Sequence, residues 1–215
     1  YGYIVEADIK GFFDNMNHDW LMNMLEQRID DKSLLGLIKQ WLKARIKSPD
    51  GCFHKPESGT PQGGVISPVL ANIYLHYALD LWFEKIVKPR MEGRAMLIRY
   101  ADDFVVAFQY RHEAEAFYRV LPKRLNKFGL SVAPEKTHLK RFSRFHPGRK
   151  RNFQFLGFEF YWSLDANRKP IVRRYTAPKK LKAAMSEFYQ WIKYNRSRPL
   201  NETLPILKRK LMGFQ

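Results

Sequence analysis

The sequence predicts an α+β fold, an antiparallel sheet backed by helices and followed by a smaller helical end. Three observations lead there. Two apolar runs, residues 96–100 and 104–108, are separated by only three residues, which is hairpin spacing and calls for antiparallel pairing. Longer stretches before and after them carry apolar residues at helical spacing. Near residues 174–178 the mixed signals give way to helical ones alone, so we divide the chain into residues 1–175 and 176–215.

Residues 3–8 are β-branched and apolar and read as a strand whose end delivers Asp8, with Gly11 marking the turn that follows. Residues 18–28 and 33–46 read as two helices, with Leu21, Met24 and Leu25 on the apolar face of the first and Leu34, Leu37, Ile38, Trp41 and Leu42 on that of the second. Residues 48–56 hold Pro, Asp and Gly in succession and predict a turn or hairpin. After a loop over 58–64, Ser67 as cap and Pro68 at the first helical position start a helix running to about Val87. A helix over 112–128 closes at Gly129. Strands are predicted near 137–142, 153–161 and 171–175, then helices over 177–194, with Pro178 in the first turn, and 203–212.

With 45% hydrophobic and 15% aromatic residues, the 215-residue chain can fill a real core. Its net charge of +17 calls for a polyanionic partner, nucleic acid before a membrane surface. The charge is polarised: residues 1–110 hold 13 Lys and Arg against 14 Asp and Glu, while residues 111–215 hold 25 against 7. An acidic centre beside a basic surface follows, and the apolar residues interleaved through the basic half argue against a disordered tail. Cys52 is the single cysteine, so no intrachain disulfide forms. No apolar run approaches the ~20 residues of a membrane span, and the expected location is the bacterial cytoplasm. The chain starts without Met and directly in a strand, which reads as a piece of something longer.

The chemistry centres on Asp8, Asp102 and Asp103. An Asp pair in a turn is ordinary when taken alone. Here the pair is flanked on both sides by buried-looking strands, where a purely structural hairpin would favour Asn-Gly or Asp-Gly. An antiparallel sheet can bring a strand end beside a neighbouring hairpin turn, so the three carboxylates can converge. Clustered carboxylates resist ionisation unless cations hold them, and oxygen-only ligands suit Mg²⁺, with Mn²⁺ as a substitute. Two such ions about 3.5–4 Å apart serve in-line phosphoryl displacement. The six histidines are scattered and offer no competing metal-ligand spacing.

Tyr100-Ala101-Asp102-Asp103 resembles the YADD form of the reverse transcriptase active-site box, and the run from Asp8 to Asp14 resembles the box bearing the first catalytic aspartate. Between them, the run from Ser58 through Pro61, Gln62 and Gly63 to Pro68 resembles the PQG box in the wording of group II intron proteins. Gly129-Leu130-Ser131 through Thr137 is similar to the next palm motif, and Phe155-Leu156-Gly157-Phe158 to the segment joining palm and thumb. The chain thus resembles the palm and partial thumb of a group II intron-encoded reverse transcriptase (maturase). Nothing before Tyr1 resembles the fingers of that family.

The resemblance implies an RNA-directed DNA polymerase. Its partners would be an RNA template, a DNA or RNA primer, deoxynucleoside triphosphates and the intron RNA. Asp8 and Asp102 would ligate two Mg²⁺ ions with Asp103 nearby, and the Ile9 carbonyl would be a further ligand. The amides of Gly11, Phe12 and Phe13 would face the triphosphate, and Phe13 would exclude a 2′-hydroxyl. Gln62, Tyr100 and Ala101 would line the nucleotide and primer pocket, and Lys136 would approach the leaving pyrophosphate. Lys140, Arg141, Arg144, Arg149, Lys150, Arg151, Lys179, Lys180 and Lys182 would track nucleic-acid phosphates. The alternatives are an RNA-binding maturase module without polymerisation and a CRISPR-associated or retron-type relative. A palm without its neighbours would expose edges and apolar surface, which predicts self-association as a homodimer.

Overall fold

A computed structural model describes residues 1–47, 53–54, 58–60, 64–148 and 150–213. Strand β1 (Tyr3–Ala7) is followed by a short helix α1 (Phe12–Asn15), α2 (His18–Glu26) and α3 (Lys32–Leu42). Side chains cap the last two. Asn17 accepts from the Trp20 amide at 2.9 Å, and Asp31 accepts from the Ser33 and Leu34 amides at 2.8 and 3.1 Å. A two-residue pair, β2 (Ile46–Lys47) and β3 (Phe53–His54), sits where a hairpin was predicted, although its turn and Cys52 lie outside the described residues.

Helix α4 (Ser67–Leu75) has Ile66 rather than Ser67 at its N-cap, and Ser67 is already inside and buried. The predicted helix to Val87 exists as a path that changes pitch, because two π-helical turns, His76–Asp80 and Phe83–Val87, follow α4. Strands β4 (Ala95–Tyr100) and β5 (Asp103–Phe108) form the predicted hairpin, and α5 (Arg111–Asn126) comes next. Then come β6 (His138–Arg141), β7 (Asn152–Phe155), β8 (Phe158–Leu164), β9 (Pro170–Thr176), α6 (Pro178–Asn195) and α7 (Leu200–Met212). The single strand expected over 153–161 is instead a hairpin, because Leu156 and Gly157 take φ of 52° and 78° and reverse the chain. No helix among the described residues is long and apolar enough to cross a membrane.

The main sheet has strand order β4-β5-β1-β6, and β1 pairs antiparallel with both neighbours. Its period-two alternation divides the molecule. Val5, Ala7, Phe104, Val106 and Phe108 face the helices and join one large core with Leu21, Tyr74, Leu79, Phe83 and Leu121. Each fully buried Phe or Leu there contributes roughly 1.5–3 kcal/mol. Ile4, Val105 and Ala107 point the other way and meet Phe142, Phe153, Phe155, Phe160 and Trp162 of the β7-β8-β9 sheet and its approach. The second sheet therefore covers one end of the open face, and Asp8 and Asp103 stand at the other.

Candidate active site

Asp8 lies one residue beyond β1. The β1–β5 register pairs Ala7 with Phe104, so its next step sets Asp8 across from Asp103, the first residue of β5. Directly opposed residues of an antiparallel pair share a face, which puts both carboxylates on the open one. Asp102 occupies the two-residue turn between β4 and β5, after Ala101 at φ 53°.

The segment after Gly129 is stitched alongside. The Lys10 amide donates to the Ser131 carbonyl and the Ala133 amide to the Asp8 carbonyl, both at 2.8 Å. This delivers Lys136, whose Nζ donates to Asp8 Oδ2 at 2.8 Å. That hydrogen bond, and the charge behind it, raises the Lys136 pKa. Asp103 is also pushed up, first by burial and then by repulsion from Asp102 and Asp8, with Lys136 and Lys180 pulling the other way. Hard oxygen donors with a cation already seated on one of them fit a divalent metal. As arranged here, no group of three or more His, Cys, Asp or Glu among the described residues closes into metal-holding geometry.

A raised Asp103 pKa has a defined sign in stability. Its folded form holds a proton more tightly than the unfolded chain, so stability falls as pH rises from the ordinary carboxylate range through the folded pKa. Asp103→Asn is therefore expected to raise the melting temperature of the metal-free protein at neutral pH, and the gain should vanish at acid pH. Solvent access to Asp103 keeps the effect small. Melts in EDTA across this range check it.

Asp8, Asp102 and Lys136 line a cleft of about 300 Å³ together with Ile9, Gly11, Phe12 and Phe13. Gly11 at φ 54° makes the turn into α1, and the Asn15 side chain braces it by donating to the Gly11 and Lys10 carbonyls at 2.8 and 3.2 Å. Phe12 is buried in the core, whereas Phe13 is half-buried, edge-on to Phe12 with ring centroids 5.4 Å apart. Gln62, Pro61 and Gly63 lie outside the described residues, but the chain leading to them is pinned at this cleft. The Thr60 amide donates to the Phe13 carbonyl and the Gly59 amide to the Met16 carbonyl, both at 2.7 Å. At Gly59, φ is 79° and a Cβ would stand 2.5 Å from the Phe13 carbonyl oxygen, so only glycine fits.

The basic residues divide into separate groups. Arg141 pairs with Tyr3, at the end of β1 remote from Asp8, about 17 Å away at ~3.4 Å per residue. Arg144, Lys150 and Arg151 follow in the same connection, and Arg149 lies outside the described residues. Positive charge on Arg141, with burial and Arg151 adding less, lowers the pKa of His146. Lys140 is engaged internally, its Nζ 2.6 Å from Glu6 Oε2. Lys179 and Lys180 stand at the Asp8 end instead. The Ala177 amide donates to the Gly157 carbonyl at 3.0 Å, Lys179 lines a second cleft of about 500 Å³ that includes Asp8, Asp103 and Gly157, and the end of the Lys180 side chain, Nζ included, passes over Gly157 where a Cβ would meet it at 2.5–2.9 Å. Lys182 is exposed on the same helix.

Sequence reasoning passed over Glu6 and Arg99. Glu6 is largely buried on the open face, two residues before Asp8, and accepts from the Gln154 amide as well as Lys140, fastening β7 to β1. Its signal was a charge inside a strand, on the same alternation as Asp8.

A strand-end carboxylate facing a hairpin carboxylate pair, on the open face of a helix-backed antiparallel sheet, defines a polymerase palm. Residues 1–160 match the family described as reverse transcriptase (RNA-dependent DNA polymerase), and the chain belongs to that family. The group II intron-encoded protein LtrA of Lactococcus lactis subsp. cremoris is 49% identical over 74 residues, covering 34% of this chain and 12% of the relative. The putative COX1/OXI3 intron 1 protein of Saccharomyces cerevisiae is 28% identical, covering 63% of this chain and 22% of the relative. The chain thus spans a minor part of these relatives. Apo telomerase from Candida tropicalis, truncated from its C-terminal domain, superposes with a TM-score of 0.61 at 17% identity over 80% of this chain and 35% of that one, a likeness of fold.

Proposed function

We propose that this chain carries the polymerising centre of a group II intron-encoded, RNA-directed DNA polymerase that transfers deoxynucleotides to a primer 3′-hydroxyl on an RNA template. The observation that carries this reading is the register that sets Asp8 across from Asp103 beside the Asp102 turn, with Lys136 already seated on Asp8 as a cation. Asp8 and Asp102, helped by Asp103 and the Ile9 carbonyl, would hold two Mg²⁺ ions. Such ions stabilise the attacking and leaving oxygens of an in-line displacement.

The remaining roles belong to the chain itself. Gly11, Phe12 and Phe13 offer backbone amides at the cleft, and Phe13 offers a ring against the sugar. Tyr100, exposed on the open face beside Ala101, supports the primer end, and Gln62 contacts the nucleotide or template. Lys136 exchanges Asp8 for the departing pyrophosphate and supplies a proton to it. Lys179, Lys180 and Lys182 hold phosphates near the reacting end, while Arg141, Arg144, Lys150 and Arg151 engage nucleic acid at the far end of the sheet, including intron RNA during splicing, and Arg149 serves nucleic-acid binding as well. Residues 1–175 form the palm and 176–215 the start of the thumb.

Primer extension on an RNA template with Mg²⁺ and deoxynucleotides tests the reading. The full-length protein is expected to extend the primer, and Asp102→Asn to bind template-primer without extending it. Intron RNA binding with no extension on any template by the wild type would leave a maturase module without polymerase activity.

A further inference from the structure

The Asp102–Asp103 turn is held from the helix side by one guanidinium. On β4, Ala95, Leu97 and Arg99 share the face that looks toward the helices. Arg99 is nevertheless a charge in an apolar row, with a side chain only 13% exposed. Each of its three nitrogens donates to a partner. Nε and Nη2 donate to Asp80 Oδ1 and Oδ2 at 2.8 and 2.6 Å, and Nη1 donates to Asn72 Oδ1 and to the Ala101 carbonyl, each at 2.8 Å. The planar fork of arginine suits this, whereas a lysine ammonium cannot reproduce the bidentate pair.

Two features show what the arrangement accomplishes. The first is its target: Ala101 has φ 53°, a strained conformation for a residue with a Cβ, and its carbonyl belongs to the peptide that leads into Asp102. Fixing that peptide plane fixes where Asp102 starts. The second is how Asp80 arrives. It closes the π-helical turn His76–Asp80, in which the Leu81 amide bonds the His76 carbonyl five residues back. Such a turn shifts the helix phase by one residue, and π-turns concentrate at functional sites. A partly buried ion pair is also a poor choice for stability alone, since well-packed apolar residues do as well or better.

We propose that Arg99, seated on Asp80 and Asn72, is a positioning residue that holds the Ala101–Asp102 peptide so that Asp102 stands in register with Asp8 and Asp103 for nucleotidyl transfer. This rests on the reading of Asp102 as catalytic. Through Asn72, it also ties the carboxylate turn to α4, the helix entered from the glycine-rich loop that is pinned at Phe13.

The test uses the full-length protein with Arg99→Lys, Arg99→Lys combined with Ala101→Gly, and Asp102→Asn. Arg99→Lys is expected to lower kcat for single-nucleotide addition about 100-fold, as small misplacements do, with nucleotide KM and template-primer Kd nearly unchanged. Mn²⁺ binding followed by electron paramagnetic resonance, without turnover, should weaken in the same variant. Adding Ala101→Gly, at ease at φ 53°, should recover about tenfold of the lost kcat, because glycine needs no hold there. A kcat equal to wild type overturns the inference, as does a loss of kcat matched by equal losses of template-primer binding and melting temperature. If Asp102→Asn polymerises normally, the catalytic reading itself fails. If Asp102→Asn is dead while Arg99→Lys is unaffected, only the positioning role falls.

Discussion

Asp8→Asn is expected to reduce nucleotide addition by about 1,000-fold or more, because the several kcal/mol of charge stabilisation that a metal supplies depends on its carboxylate ligands. Asparagine matches aspartate in shape, so the backbone bond from the Ala133 amide to the residue 8 carbonyl and the β1–β5 register should survive. The charge is what disappears, and two neighbours register it. Lys136 loses the anion that its Nζ contacts at 2.8 Å, and Asp103 loses one of the repulsions that raise its pKa. Template-primer affinity should change little, since Lys179 and Lys180 at this end of the sheet and Arg141, Arg144 and Arg151 at the far end keep their charges. Single-turnover extension alongside fluorescence anisotropy with labelled template-primer separates these quantities. Retention of extension within tenfold of wild type would place the reaction somewhere other than this cleft.

What could be read from residue order follows from which constraints are local. The strand ending in Asp8 and the hairpin bearing Asp102 and Asp103 were legible because alternation and turn spacing are short-range signals. That Asp8 faces Asp103 in particular was not, because register depends on how both flanks of β1 pack, helices on one side and the aromatic residues of β7 and β8 on the other. The same limit hid the break at Leu156 and Gly157. The flanking residues are aromatic enough to read as one strand, and only the two positive φ values divide it. Arg99 and Glu6 escaped for a related reason, since each looks like a single charge in an apolar run until its partner, from residue 80 or residue 140, comes into contact. The basic half was visible as composition, but its division into a far-end group and a group over Gly157 arises from the antiparallel course of β6 and from α6 starting at that turn.

Phe13→Val is expected to shift selectivity toward ribonucleoside triphosphates by about 30- to 100-fold in the ratio of kcat/KM values, the equivalent of removing a steric conflict of roughly 2–3 kcal/mol. The neighbouring ring provides the contrast. Phe12 is 2% exposed and packs in the core with Tyr74, so shortening it should act on stability, by about 3–5 kcal/mol for the change to Ala, and not on the choice of sugar. Phe13 is only half-buried, and it shares its cleft with Asp8, Asp102 and Lys136. Its backbone is immobilised on both sides, by the turn at Gly11 and by the Thr60 amide on its carbonyl at 2.7 Å. A ring on such a support would have little room to retreat from a 2′-hydroxyl, as discrimination by shape would require. Competition between ribo- and deoxynucleotides at one templated position measures the ratio. If the ratio stays at the wild-type value while deoxynucleotide addition continues, the Phe13 ring is packing the rim of the cleft and the discrimination comes from another wall.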